Sequence, residues 1–338
     1  MGGFLWYMVF PSVAIALPKC AMAVKLLRSS LLEELKKEYI RTALSRGNSM
    51  RSALYFHALK NAMMPVLTFW GMALADMLAG SIITALMLLL IVVGFFWTPY
   101  DPDAMNGAAK MAGVSLQHPL GCDQFGRDVL SRVMKGCGTT LYVAVGTIAI
   151  SVVCGILLGA FTGYYGGVLD EILMRINDTI FAFPSILLAL VFISLFGPGT
   201  RQSILALGIA FIPSFSRIVR SEFLRYRGSD YVRSAKLAGA GDLRIIFVHI
   251  LPNTRQVLLS SILIGFNNAV LAESSMSYLG IGVQPPQASL GRMLSEAQTY
   301  LLSKPSMALF PGLALVLLVL GFALLGEGIS GGKGRHAA

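Results

Sequence analysis

Apolar runs alternate with polar stretches along this 338-residue chain. A bilayer core about 30 Å thick takes about 20 helical residues. On that measure 3–24, 77–99, 138–163, 170–196, 202–216, 254–275 and 306–326 read as membrane spans, seven in all. Pro11 and Pro18 predict kinks in the first span, and 202–216 is short unless 217–222 extend it. The run 62–100 is ambiguous. It holds no Lys or Arg and, before Tyr100, one acid, Asp76. As a single helix it would be nearly twice the bilayer core, yet no polar turn divides it into two. The reading adopted is one span within 77–99, with 62–75 as an interfacial or tilted lead-in.

The polar stretches carry further expectations. Residues 100–137 begin turn-rich, and Asp123–Lys135 is expected to form an amphipathic helix on the membrane surface. In 170–196, Arg175 and Asp178 are three apart, so they share a helix face and can pair. GPGT at 197–200 is an external turn, and Pro285–Pro286 forces extended backbone in the outer loop 276–305. Ionisable or amide groups inside a span are functional candidates. Glu273 and Asn267 in 254–275, with Asp178, are therefore candidates for a polar pathway; a charge pair or helix contact that packs the bundle is the plainer alternative.

Two polar stretches are copies of one another. Lys25–Asn61 shifted by 192 positions falls on Arg217–Asn253 with no gap and 10 of 37 identities, against roughly two or three expected from average composition. Tyr39 falls on Tyr231, Arg41 on Arg233, Ala43 on Ala235, Gly47 on Gly239 and His57 on His249. Each copy reads as two short helical stretches with a glycine turn between them. An ordinary solvated loop would also be basic, but charge alone does not match Ala, Gly and His positions. The expected role is docking a partner.

Composition fixes the setting. The chain is 55% hydrophobic and 13% charged, with mean hydropathy +0.70 and net charge +10. That describes an all-α polytopic membrane protein, and the positive charge is no nucleic-acid signal. Residues 25–60 carry eight Lys/Arg against three Glu, and 217–255 carry eight against three acids, which places both copies in the cytoplasm. The start lacks the basic n-region and cleavage site of a signal peptide, which fits an external N-terminus. Cys20, Cys122, Cys137 and Cys154 lack metal-ligand spacing. Cys122 and Cys137 share what is read as an outer loop, where a disulfide is conceivable in an oxidising compartment. No Walker A, HExxH or GxSxG pattern occurs, so the sequence carries no ATPase or hydrolase signature. His57 and His249 lack catalytic partners nearby.

Residues 233–252 resemble the EAA loop of ABC importer permeases: small residues Ser234 and Ala235, then Gly239, then Ile250, Leu251 and Pro252. The pattern's leading Glu is Arg233 here, and His249 takes its apolar position. HPLGCDQFGRDVLSR, LMRINDTIFAFPSILLAL, ESSMSYLGIGVQPP and LFPGLALVLLVLGFALLG are similar to the dipeptide, oligopeptide and nickel permeases, more narrowly to the second of their paired permeases. The resemblance implies a type I importer permease fold in 86–331, with a short basic tail at 332–338. It also implies peptide or nickel-chelate transport across a prokaryotic inner membrane. Two cytoplasmic ATPases carrying ATP and Mg would be partners, with a second permease, an extracytoplasmic substrate-binding protein and membrane lipids. The coupling loop would comprise Tyr231, Arg233, Ser234, Ala235, Gly239, Ala240, Leu251 and Pro252, and alternating access would run through it.

Residues 1–83 resemble instead the last part of the partner permease, with two spans' worth of sequence and a second EAA-like loop at Tyr39, Arg41, Ala43, Gly47 and His57. The text changes near Ser81–Leu86, which suggests an in-frame joining of adjacent permease genes. On that reading the first loop is a passenger or a competitor for an ATPase. A non-functional remnant and an ATPase-independent transporter are the competing readings.

Overall fold

The computed structural model describes residues 23–47 and 49–330, the side chains of 70–82 and 327–330 excepted. The expected span 3–24 and the tail at 332–338 therefore lie outside the described residues, apart from residues 23 and 24. Two compact units result, one of residues up to Ile82 together with those from Leu324 on, the other Ile83–Ala323. The division falls within Ser81–Leu86.

In the first unit α1 (23–34) leads to α2 (Glu38–Ser45), a turn at Gly47, a short turn of helix at Met50–Ser52 and a π-helical stretch at Ala53–Ala58. Ile40, Ala53 and Ala58 form its small core, with Leu31, Leu35 and Tyr39 against them. α3 (Leu59–Phe96) follows without a turn, with Pro65 inside it, and its residues from Ile83 on belong to the second unit. The ambiguous run is thus one helix rather than a hairpin.

The second unit is built on α4 (Val129–Tyr165), packed against α7 (Thr200–Tyr226). Gly155, Gly159 and Gly163 stand four apart on α4. A Cβ at Gly155 would come within 2.6 Å of Phe215, and one at Gly163 within 2.7 Å of Phe223. Small residues at this spacing let backbones meet where lipid supplies no hydrophobic drive. Further along, the contacts run both ways: Gly208 of α7 receives Ile150, while Gly146 of α4 receives Ile204. Ser151 Oγ donates across the seam to the Gly208 carbonyl at 2.8 Å.

α4 is not preceded by a surface helix. Residues 123–128 form a tight turn with Gly126 at φ +78°, and Asp128 caps the helix, its carboxylate accepting from Ser131 N–H at 2.8 Å. Asp128 and Gly126, poor helix residues, account for the difference. Cys137 consequently lies inside α4. Cys122, Cys137 and Cys154 are free thiols. Burial, with Asp128 and Asp123 nearby, pushes the Cys122 thiol above its ordinary range.

The segment expected as one span, 170–196, is broken. α5 (Gly167–Phe181) and α6 (Ser185–Phe196) meet at 88°. Pro184 has no N–H to continue the helix and disfavours helical geometry at Phe183 before it. Arg175 and Asp178 do not pair: Arg175 meets Glu171 at 3.2 Å, and Asp178 meets Arg217 of α7 at 2.6 Å. A second ion pair ties α5 to α7, Asp170 accepting two bonds from Arg220, both at 2.6 Å.

α7 ends near Tyr226, longer than the expected 202–216. α8 (Asp230–Leu237), a single turn at Asp242–Arg244 and a π-helical stretch at Ile245–Ile250 lead into α9 (Leu251–Tyr278). α10 (Leu290–Ala297), N-capped by Ser289, and α11 (Ser306–Ser330) complete the chain. Gly291 brings α10 against α9, since a Cβ there would lie 2.1 Å from the Ser274 carbonyl oxygen. Among the described residues four helices are long and apolar enough to cross a membrane, or five if the bent pair counts as one span, and the fully described part of α3, Ile83–Phe96, adds a shorter apolar stretch.

Candidate functional site: two loops of one design

The two sequence copies fold alike, boundary for boundary. Glu38–Ser45 corresponds to Asp230–Leu237, Met50–Ser52 to Asp242–Arg244, and Ala53–Ala58 to Ile245–Ile250, each displaced by 192 positions. Gly47 and Gly239 both sit at positive φ, +88° and +82°, the left-handed region that side chains avoid. In both π-helical stretches the closing bond runs five residues back, Leu59 N–H to the Leu54 carbonyl and Leu251 N–H to the Ile246 carbonyl. Pro252 does not cause this widening, because Lys60 holds the matching place in the first copy. Buried positions match too: Ile40 with Val232, Ala53 with Ile245, Ala58 with Ile250, Ala62 with Thr254 and Val66 with Leu258.

The second loop has an anchored face and a free one. Val232, Ile245, Ile246 and Ile250 are buried against Ala160, Tyr164, Val219 and Phe223 at the ends of α4 and α7. Burying each such isoleucine stabilises the contact by roughly 1.5–3 kcal/mol. Tyr164 O–H donates to Asp242 Oδ1 at 2.6 Å, and the Lys236 ammonium lies 4.9 Å from the Tyr164 ring centroid. Asn253 donates to the His249 carbonyl at 2.6 Å. On the free side Tyr231, Arg233, Ser234, Gly239 and Pro252 are exposed, Ala235, Ala240 and Leu251 half-buried. Three exposed aliphatic residues join them: Leu237 at 91%, Leu243 and Val248. Sequence reasoning missed Leu237, Leu243, Tyr164 and Asp242. Exposure of an apolar side chain leaves no mark in composition, and Tyr164 comes from a distant segment.

The first loop has its own anchor. Tyr39 O–H donates to Glu34 Oε2 at 2.6 Å, and Asn61 Nδ2 donates to Tyr39 Oη at 3.3 Å. Glu34 is held below the usual carboxylate range by its bond from Lys37 and then that from Tyr39. Arg41 pairs with the neighbouring Glu38, Ala43 is buried, and Gly47 and His57 are exposed.

The proposed pathway residues do not converge. Glu273 is fully buried rather than lining an open path. The hydroxyls of Ser277 (2.7 Å), Ser274 (3.3 Å), Thr140 and Ser289 surround it, joining α9 to α4 and to the start of α10. Asn267, six residues earlier on α9, points about 120° away, and its half-buried side chain has an Oδ1 without a hydrogen-bond partner among the described residues. Asp178 is exposed and engaged with Arg217, whose guanidinium stacks on Phe181 at 4.0 Å.

Helices long and apolar enough to cross a membrane, with a basic loop between two of them, define a polytopic membrane protein. The chain belongs to the family described as "Binding-protein-dependent transport system inner membrane component", which matches residues 1–113 and 155–331. The "Dipeptide transport system permease protein DppC" of Haemophilus influenzae is 36% identical over 258 residues, 75% of this chain and 88% of its own length. The "Glutathione transport system permease protein GsiD" of Pectobacterium atrosepticum is 37% identical over 279 residues, 80% and 91% respectively. A chain from the solved structure "Inward facing conformations of the MetNI methionine ABC transporter: CY5 SeMet soak crystal form" superposes with a TM-score of 0.49 at 18% identity, covering 58% of this chain and 93% of that one.

The protein is therefore a multi-pass inner-membrane permease of an ATP-driven ABC importer. ATP hydrolysis belongs to partner ATPase subunits, and a binding protein presents the substrate. These comparisons do not bear out the assignment of residues 1–83 to a partner permease, nor the joining of two genes.

Proposed function

We propose that this permease imports short peptides, with Asp230–Asn253 as the element through which an ATPase drives it. The substrate class rests on the relatives, which are named for dipeptide and glutathione transport. The coupling role rests on one observation: the loop is clamped to α4 and α7 by its buried isoleucines and Tyr164, yet presents Leu237, Leu243 and Val248 outward. A push on the free face is transmitted to the helices flanking it. Differential free energy between inward- and outward-open states comes from ATP and Mg bound on the partners. The assembly would hold two ATPases, a second permease and an extracytoplasmic binding protein, and Glu38–Ala58 would offer a second docking element of the same design.

The test is uptake in a peptide-transport-deficient host expressing the complete set of subunits. Labelled dipeptide should accumulate, and Gly239→Val should remove most of that accumulation while the chain still inserts. Accumulation of a nickel chelate instead would overturn the substrate class. Uptake without any co-purifying ATPase would overturn the coupling role.

A further inference from the structure

At one end of the second unit lies an open cavity of about 260 Å³ that the transport reading does not use. Phe95 and Tyr142 form apolar walls, while Lys135, Asp103, Thr200 and Gln287 supply the polar lining. Its setting is the boundary of the apolar layer. α3 ends at Phe96 and gives way to the polar sequence that begins Trp97-Thr98-Pro99-Tyr100-Asp101, Lys135 is in the second turn of α4, and Thr200 is the first residue of α7. Phe95, Phe96, Trp97 and Tyr142 are all more than 60% exposed there. Aromatic side chains gathered where apolar helices end mark the headgroup level of a bilayer. α4 itself, about 55 Å long at 1.5 Å per residue, reaches well beyond a core of about 30 Å.

The polar groups are sorted by charge. Among the described residues Lys135 has no ion-pair partner, and its ammonium lies 6.0 Å from the Phe95 ring centroid. Thr200 Oγ1 donates to Gln287 Oε1 at 2.8 Å, which leaves the Gln287 amide nitrogen without a hydrogen-bond partner among the described residues. A free ammonium and a free amide N–H₂ are donors suited to phosphate. Asp103, 47% exposed and 3.5 Å from Arg132, keeps acceptor capacity for a cation with N–H groups.

We propose that this cavity binds the headgroup of a phospholipid bearing both a phosphate and a primary ammonium, with an acyl chain along Phe95 and Tyr142. Lys135 and Gln287 take the phosphate, and Asp103 takes the ammonium. An aromatic, lipid-level rim favours this occupant over a free peptide or the surface of a second permease.

The test is native mass spectrometry of the full chain, purified with its partners and titrated with phosphatidylethanolamine, phosphatidylglycerol or phosphatidylcholine. Wild type should retain one phosphatidylethanolamine at least tenfold more tightly than the choline or glycerol lipid. Lys135→Gln should lose retention of all three, and Asp103→Asn should lose the preference while still binding the glycerol lipid. A thermal transition matching wild type shows that each variant is folded. Indiscriminate retention, no retention by wild type, or equal retention by Lys135→Gln would overturn the proposal. So would efficient cross-linking of Tyr142→Cys to the second permease, which would mean that protein occupies the face.

Discussion

The Cα of Gly159 lies so close to Ser216 that a Cβ at Gly159 would stand 2.4 Å from the Ser216 carbonyl oxygen. The obstacle is backbone, which cannot swing aside as the end of a side chain does. The seam between α4 and α7 is therefore set by what glycine omits. Gly159→Ala should destabilise the permease by about 1–3 kcal/mol, the usual range for overpacking. Gly138, where a Cβ meets nothing within 4 Å, should tolerate alanine with little change. Thermal unfolding of the two variants in detergent, monitored by helical circular dichroism, separates them.

Gly239 is different in kind. A side chain there meets nothing within 4 Å, so substitution strains only the backbone at φ +82°. That strain is about 1–2 kcal/mol, too little to unfold the bundle but enough to reshape an exposed turn. Gly239→Val should insert normally and lose most peptide uptake. Gly47→Val carries the same strain at φ +88° and should impair uptake only if the first loop also docks an ATPase. Uptake assays on both variants assign the loops separately.

Glu273 tests whether the buried hydroxyl cluster is architecture. Glu273→Gln keeps a hydrogen-bonding group among Ser274, Ser277, Thr140 and Ser289 and should cost less than about 1 kcal/mol. Glu273→Leu leaves those hydroxyls short of a partner and should cost about 1–3 kcal/mol or more. Equal stability of the two variants in a thermal-shift series would contradict this account.

Asp170 and Arg220 hold α5 on α7 by two bonds of 2.6 Å. A double-mutant cycle using Asp170→Asn and Arg220→Gln should give a coupling of about 0.5–3 kcal/mol. The same cycle on Arg175 and Asp178, which do not pair, should give none.

Cys122 should resist alkylation. It is 2% exposed and its thiol is pushed up by burial and by Asp128 and Asp123. The sign follows: a raised folded value keeps the thiol neutral through ordinary pH, and any stability linked to it is lost only as pH rises toward the folded value. Maleimide labelling at pH 8 should be slow in the native protein and fast after denaturation.

What the sequence made legible depended on range. The loop copies were readable because Tyr39, Gly47 and His57 have counterparts at one fixed offset, and helical stretches flanking a glycine turn follow from local chemistry. The bend before Ser185 was also within reach, since Phe183–Pro184 interrupts an otherwise apolar run. Partners across the bundle were not. Asp178 took Arg217, 39 positions away, rather than Arg175 on its own helix. Glu273 found Thr140 and Ser289 on other elements. The spacing of Gly155, Gly159 and Gly163 was visible in the text, but which helix it admits is decided only by packing.

The π-helical stretch between loop and span has a further consequence. A turn that closes five residues back contains one residue more than an α-turn, and each residue advances a helix by about 100°. Ile245–Ile250 and Ala53–Ala58 thus act as phase shifters, rotating the long helix that follows relative to the loop before it. Because both copies hold the same extra residue at the same point, each loop faces its own span at the same angular setting. Lose that residue from either copy, and the loop and the helix after it would still both fold, but the loop's outer face would be turned by about 100° relative to that helix.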